Sequence, residues 1–402
     1  MVHTSITSDG TAKFAAFKAV LAKSWWSEVN RMAGDTTLFV NRWCTLSRRL
    51  PRRTTHHKLP ENRVYFFNDD AFPHQFGSYI MRSGMTYSLI RQLEHCNGAD
   101  GGDTPSAEQN RMKPFIEEAV ISLLNMKSTD VPSSMAIDDL GCSTGPNALA
   151  LVSIAVNAVV HHYAALNHQA PPELRLLLND LPDNDFNDVA KRLVSFQQSI
   201  QNSGMVLTAG IVPGSYYKRL FPNNSLNLVV SSNSLHWVSE VPEDLKNSMI
   251  PLHDKDEGLR RTRRPLVIQA YREQFRKDFT LFLKLRAQEL VHGGRLVVSM
   301  LGSRAYLCIT PWDIITIPLN DMASRGLISR EMLDCFYMPM YGPSDIELRE
   351  IIQDEGSFEI NEIQLRELEK SLIAPNTMAH AMRAVFEPMI VQHFWTVQRR
   401  YG

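Results

Sequence analysis

Two adjacent carboxylates, Asp138 and Asp139, end a short apolar run, Met135-Ala136-Ile137, and lead directly into Leu140-Gly141-Cys142-Ser143-Thr144-Gly145-Pro146-Asn147. The chemistry that suits such a set is the binding of a nucleoside-type ligand. The glycines let a ligand approach the backbone, and an acidic strand end suits a ligand with a positive charge and ribose hydroxyls. S-adenosylmethionine (SAM) has both. The dinucleotide form of this turn is G-x-G-x-x-G, with a pyrophosphate on the helix N-terminus. Here the spacing is G-x-x-x-G-P and no G-K-[ST] follows, so neither the dinucleotide nor the Walker fingerprint is present. Alone, the turn reads equally as a nucleoside site and as a plain strand-to-helix connection.

Three further loops carry residues of the same promise: Asp180-Leu181, Ser215-Tyr216 and Ser234-Leu235-His236-Trp237. Each has a plain reading too. Asp180 can cap a helix, Tyr216 can be core, and His236 can be a structural histidine. What joins them is the order of the elements that hold them. Apolar runs at Leu174–Leu178, Met205–Leu207, Asn227–Ser232 and Arg295–Met300 read as strands. Helical spacing lies between them, at Ala148 to Val159 and, after Pro265, at Phe275, Phe279 and Phe282. A repeated β-then-α order predicts an α/β fold with a mostly parallel sheet covered on both faces. Its loops then open on one edge. Asp180, 41 residues after Asp139 at the end of the next strand, sits where a ribose-binding carboxylate belongs. From Tyr306 to about Gly356 the rhythm breaks into helical pattern and a run rich in Met and aromatics, Phe336 to Tyr341, which reads as a cap over the strand ends. Ser357–Leu365 alternates like a late strand, and Ala379–Trp395 has the pattern of a terminal helix.

Composition bounds the partners. The 402 residues are 44% hydrophobic and 21% charged, with a net charge of −1, which argues against nucleic acid as the principal partner. No membrane span is expected. Cys44, Cys96, Cys142, Cys308 and Cys335 are odd in number, scattered and without a C-x-x-C pair, so a reducing, cytoplasmic setting is expected, with neither disulfide framework nor zinc. Residues 1–60 hold ten Lys/Arg against three Asp/Glu. Transit peptides share that composition, and a loosely attached extension is the plainer reading.

The motifs together resemble the plant SABATH family of SAM-dependent methyltransferases, which act on small carboxylic acids and, in some branches, xanthine nitrogens. The resemblance is carried by Asp139–Asn147, Leu178–Asn187, Val212–Pro222, Ser231–Trp237, Arg286–Arg295 and Met340–Ser344, six motifs in order. Pro242-Glu-Asp-Leu and Arg260–Arg264 resemble the grass branch that methylates anthranilate, benzoate or salicylate. The resemblance implies a Rossmann-like class I methyltransferase sheet with a mostly helical cap over the strand carboxyl ends. It implies a methyltransferase domain over residues 93–402, capped mainly by 240–265 and 303–356, behind a basic, poorly ordered extension at 1–92. For the cofactor, SAM, it implies Asp139, Cys142 and Asn147 in the pocket, Asp180 on the ribose, Leu181 beside the adenine, and Ser215 and Tyr216 over the adenosine. His236 and Trp237 would face the substrate carboxylate, with Gln109 and Trp312 as further substrate contacts. Asn247, Asp334 and Phe336 fall where some members hold magnesium, with Tyr337 where asparagine is usual. The expected partners are a small carboxylic acid and a second copy of the chain, with no nucleic acid and no membrane.

The chain also departs from that family. His95-Cys96-Asn97-Gly98-Ala99-Asp100-Gly101 matches its opening stretch, but the Ser-Tyr-x-x-Asn-Ser that should follow is absent; Ser78-Tyr79 is a rival match in the wrong place. Asn233 replaces a tyrosine usual beside the substrate. The expected activity is carboxyl O-methylation of a small aromatic acid. The alternative is a catalytically impaired paralogue that binds ligand without turnover.

Overall fold

In a computed structural model, the apolar runs form one seven-stranded sheet and a two-stranded ribbon. Residues 40–49, 74–75, 107–125, 133–165, 171–201, 204–302, 311–367, 386–387 and 389–396 are described. In chain order the elements are β1 (Val40–Arg48), β2 (His74–Gln75), α1 (Ala107–Leu124), β3 (Ser134–Leu140), α2 (Ala150–Ala165), β4 (Glu173–Asp180) and α3 (Phe186–Gln201). Then come β5 (Leu207–Pro213), β6 (Leu226–Ser232), α4 (Glu243–Asn247), α5 (Glu257–Glu289) and β7 (Leu290–Leu301). The chain continues through α6 (Pro311–Ser324), α7 (Arg330–Asp334), β8 (Tyr337–Met338), α8 (Asp345–Glu355) and β9 (Phe358–Glu367).

The sheet order is β5-β4-β3-β6-β7-β1-β9. The first five strands run parallel, and β1 is antiparallel to both of its neighbours. Strand β3 shows why the parallel half must be covered on both faces. Met135 and Ile137 join the core under α1 and α2, whereas Ala136 and Leu140 join the core under α5 and the cap. The stripe Val267, Tyr271, Phe275, Phe279, Phe282 and Arg286 is the buried face of α5. Its Phe rings stack at 5.4 and 5.9 Å, and each contributes on the order of 2 kcal/mol by burial. The helix begins earlier than the expected start after Pro265, because Asp256 caps it by accepting from the Leu259 N–H at 3.0 Å. Pro265 lies inside it.

One expectation is corrected. Residues 40–48 belong to the sheet rather than to a loose extension, since β1 pairs with β7 from Asn41 to Ser47 and with β9 from Val40 to Arg48. A strand between two others satisfies its backbone groups on both edges, which the basic composition gave no hint of. Asn147–Ala165 is long and apolar enough to cross a membrane by length and composition. In the structure, Leu151, Val152, Ala155, Val156 and Val159 of this segment are buried in the core beneath α1. Of the expected terminal helix, only parts are described, ending in a π-helical turn at Gln392–Thr396.

Candidate functional site

The glycine turn after β3 is held by β4. Gly141 and Cys142 both donate their N–H to the Asn179 carbonyl at 2.9 Å. Ser143, in the left-handed region at φ 60°, donates its N–H to Asp180 Oδ2 at 2.6 Å. Asp180 Oδ1 accepts from the Leu181 N–H at 2.7 Å. Asn184 donates to the Ser143 carbonyl at 2.8 Å. Beyond the turn, Asp188 Oδ2 accepts from Thr144 Oγ1, the Gly145 N–H and Arg192 Nε. The Arg192 hydrogen bond, with those from Gly145 and Thr144, keeps this carboxyl below its usual range. The turn is thus shaped by carboxylates accepting backbone N–H groups. Cys142 turns its buried thiol toward the Ser143 carbonyl, so its side chain belongs to the α1–α2 core. Asp139 is buried, alternating on β3 with Ile137, while Asn147 lies half-buried in the short turn that opens α2.

The loop after β5 places Ser215 at the rim, where its Oγ accepts from the Tyr217 N–H. Tyr216 does not lie open to a ligand. Its ring packs edge-on against Tyr217 and Phe282, and its hydroxyl donates to the Ser234 carbonyl at 2.8 Å. Tyr217 likewise donates to the Trp237 carbonyl at 2.6 Å. Both tyrosines therefore strap down the loop after β6.

That loop is also zipped to the cap. Val238 donates to the Pro339 carbonyl and Tyr341 to the His236 carbonyl, with Trp237 opposite Met340. His236 Nδ1 accepts from the Leu301 N–H at 3.3 Å, which leaves the ring proton on Nε2. Burial pushes the imidazole down to about 3, so it is neutral at physiological pH. The His236 and Trp237 rings lie 5.5 Å apart. Among the described residues, none accepts from the Trp237 indole N–H.

The remaining candidates lie outside these loops. Gln109 lies in the first turn of α1 and Trp312 in the first turn of α6. Residues 76–106, with the Asn-Gly stretch and Ser78-Tyr79, lie outside the described residues, as do 303–310 of the cap. In the cap, the Asp334 carboxylate accepts from Arg330 Nε at 3.0 Å. Asn247 is exposed at the end of α4, and Phe336 is buried against His253, His393 and Phe394. A divalent magnesium ion wants several oxygens in an octahedron. This trio supplies one carboxylate, whose Oδ1 is already paired with a guanidinium, with an amide oxygen and a backbone carbonyl beside it.

The residues missed from sequence are those that shape the turn, Asn179, Asn184 and Asp188. The signal for Asn179 and Asn184 was the run Asn179-Asp-Leu-Pro-Asp-Asn-Asp, longer than one ligand carboxylate needs; Asp188 lies three residues beyond it.

A family model for SAM-dependent carboxyl methyltransferases matches residues 101–398. The chain belongs to that family. It is 36% identical over 329 residues to a salicylate/benzoate carboxyl methyltransferase of Arabidopsis thaliana, covering 77% of this chain and 84% of that protein. To the jasmonate O-methyltransferase of the same plant it is 34% identical, over 76% of this chain and 90% of the other. A solved loganic acid methyltransferase with SAH superposes with a TM-score of 0.62 at 28% identity, over 80% of this chain and 88% of that one. The seven-stranded sheet is accordingly the Rossmann-like class I sheet that the motifs implied. The cofactor is SAM, and the residues present fit it. Asn179 Oδ1, near the end of β4, and Asn233 Oδ1, just beyond β6, are buried acceptors without a partner among the described residues, and SAM brings hydroxyl and ammonium donors. The reading of an impaired paralogue finds no support in these comparisons.

Proposed function

We propose that this methyltransferase esterifies the carboxylate of a small aromatic acid of the anthranilate, benzoate or salicylate class. The observation that carries the reading is the Trp237 indole, a donor without an acceptor among the described residues, on a backbone held by the Tyr217 hydroxyl and by the bridge to Met340. SAM supplies a methyl group on a sulfonium. The acid is already ionised at neutral pH, so no general base is required. Trp237 donates to one carboxylate oxygen and leaves the other to meet the methyl carbon. An indole N–H cannot take up a proton, which suits a clamp that only orients. His236, neutral, offers an Nε2–H donor and a flat face beside the indole, and the two rings suit an aromatic acid better than a flexible one. Positioning of this kind supplies roughly 7–11 kcal/mol of a barrier. Asp139, Asn147, Asp180, Leu181 and Ser215 belong to the SAM side of the same rim, with Gln109 and Trp312 toward the acid; the cytoplasm and a homodimer complete the proposal.

Trp237→Phe keeps the ring but deletes the donor. Its kcat/KM for the acid should fall roughly ten- to hundred-fold, the worth of one hydrogen bond to a charged group. The dissociation constant for S-adenosylhomocysteine should stay unchanged on the same preparation. A parallel fall in both, or in neither, removes the clamp. A methyl-transfer screen of benzoate, salicylate, anthranilate and jasmonate decides the acid, and preferred turnover of jasmonate would overturn the aromatic assignment.

A further inference from the structure

The motif Arg286–Arg295 is part of the family resemblance, yet the cofactor and substrate assignments leave Arg286 without a role. Arg286 is the largest fully buried side chain in the described structure, at the end of α5. Its Nε donates to Glu289 Oε2 at 2.7 Å, and both side chains are fully buried. The guanidinium reaches past this pair to the loop after β5. Nη1 donates to the Tyr216 carbonyl at 2.9 Å and Nη2 to the Lys218 carbonyl at 3.1 Å. Glu289 Oε1 accepts from the Leu220 N–H at 2.8 Å and the Phe221 N–H at 3.1 Å. The ends of the loop are fixed separately, by Gly214 N–H to the Asp180 carbonyl and Ser225 N–H to the Glu289 carbonyl, both 2.8 Å. Between those ends, one buried ion pair supplies four hydrogen bonds to loop backbone. A buried pair is weak as a source of stability, because desolvation offsets its attraction. Its planar fork is strong as a positioning device.

We infer that Arg286 and Glu289 act as positioning residues that hold the Ser215–Phe221 loop in the shape that binds the cofactor. The inference rests on the placement of Ser215 at the cofactor. The Arg286 guanidinium also lies over the Phe282 ring at 5.3 Å, and that ring meets Tyr216 edge-on. The pair thus controls both the carbonyl and the ring of Tyr216, which in turn straps Ser234.

The test uses the full chain. Arg286→Met combined with Glu289→Gln removes both buried charges at similar volume and keeps an acceptor for the Leu220 and Phe221 amides, so the fold should survive. The thermal midpoint should move by only a few degrees, while the dissociation constant for S-adenosylhomocysteine rises roughly ten-fold. The KM for SAM should rise, with kcat and the KM for the acid nearly unchanged. Amide hydrogen exchange should quicken at Tyr217 to Phe221 and not in β6. Arg286→Lys, which cannot bridge both carbonyls, should show the same affinity loss, whereas Glu289→Gln alone should show less. Unchanged exchange and unchanged affinity in the folded double variant overturn the proposal. Faster exchange with unchanged affinity confirms the staple and instead overturns the placement of this loop at the cofactor.

Discussion

Asp180 and Asp138 lie on neighbouring strands and are equally hidden from water, at 2% and 0% exposure, yet their surroundings are opposite. Asp180, at the carboxyl edge of β4, has each oxygen on a backbone N–H, one of them from the glycine turn. Asp138 sits on β3 opposite Leu177, three residues back from that edge, and neither of its oxygens has a hydrogen-bond partner among the described residues. It alternates with Ala136 and Leu140, facing the α5 side of the sheet. Burial therefore does not tell the two apart; what does is that at Asp180 the backbone is arranged to hold the charge. At the rim, N–H groups left over by a left-handed turn do so. A rung deeper, every N–H is committed to the ladder, and the carboxyl meets the charge of Asp139 beside it and the field of Arg286 and Glu289.

The largest effect that would break this comparison is on cofactor affinity. Asp180→Ala removes the acceptor of two amides and of any ribose hydroxyl. Affinity for S-adenosylhomocysteine should fall one to two decades, about 1.5–3 kcal/mol, as for a lost hydrogen bond to a charged group. Calorimetry on the folded variant decides it. Unchanged affinity would place Asp180 beside Asp138 as a merely buried acid.

How much of this was legible in the sequence depends on the range of the interaction. The parallel strands announced themselves because both faces are apolar, and the rim loops because each follows directly after such a run. The Asp180 position was readable for the same reason. Strand β1 was not: Val40–Arg48 has no alternation that says which strands it will join, and its partners lie about 250 and 320 residues away. The fate of Tyr216 was also hidden. Its ring packs against Phe282, 66 residues downstream, so the residue expected over the adenosine became the strap of the next loop. Spacing also does not show the i, i+4 pairing of Arg330 with Asp334 on α7, which engages the carboxylate of the magnesium set.

A second, smaller effect sharpens the contrast from the other side. Burial first, and then the Asp139 charge, push the Asp138 carboxyl well above its usual range, with Glu289 adding and Arg286 opposing. A carboxyl raised in the folded state is neutral there while the unfolded chain ionises near pH 4, so its contribution destabilises the fold increasingly as pH rises above about 4. Asp138→Asn removes the ionisation and keeps the volume. Its midpoint should match the parent near pH 4 and exceed it increasingly as the pH rises to 8. Thermal scans across that range check it, and a gain independent of pH would show that Asp138 does not titrate in the way its surroundings demand.

The smallest effect belongs to a carboxylate with a partner but no burial. Asp354 on α8 accepts from Arg276 on the outer face of α5, and the side chains are 66% and 46% exposed. Arg276 also has Glu350 within 3.9 Å, so losing Asp354 does not leave the guanidinium alone. What holds α8 in place is Leu348, Ile351 and Ile352, buried in the same core as Tyr271 and Phe275, together with the capping box of Ser344 and Glu347. Water screens the exposed pair, and ordering two long side chains offsets much of its attraction. Asp354→Ala should therefore cost about 0.5 kcal/mol or less, a shift of about 1 °C, and that shift should vanish in 1 M salt. Cofactor affinity should not move at all. A loss above about 1.5 kcal/mol that persists in salt would mean that a partner alone, without a backbone built around it, makes a carboxylate structural in this chain, and the contrast between Asp180 and Asp138 would then need another cause.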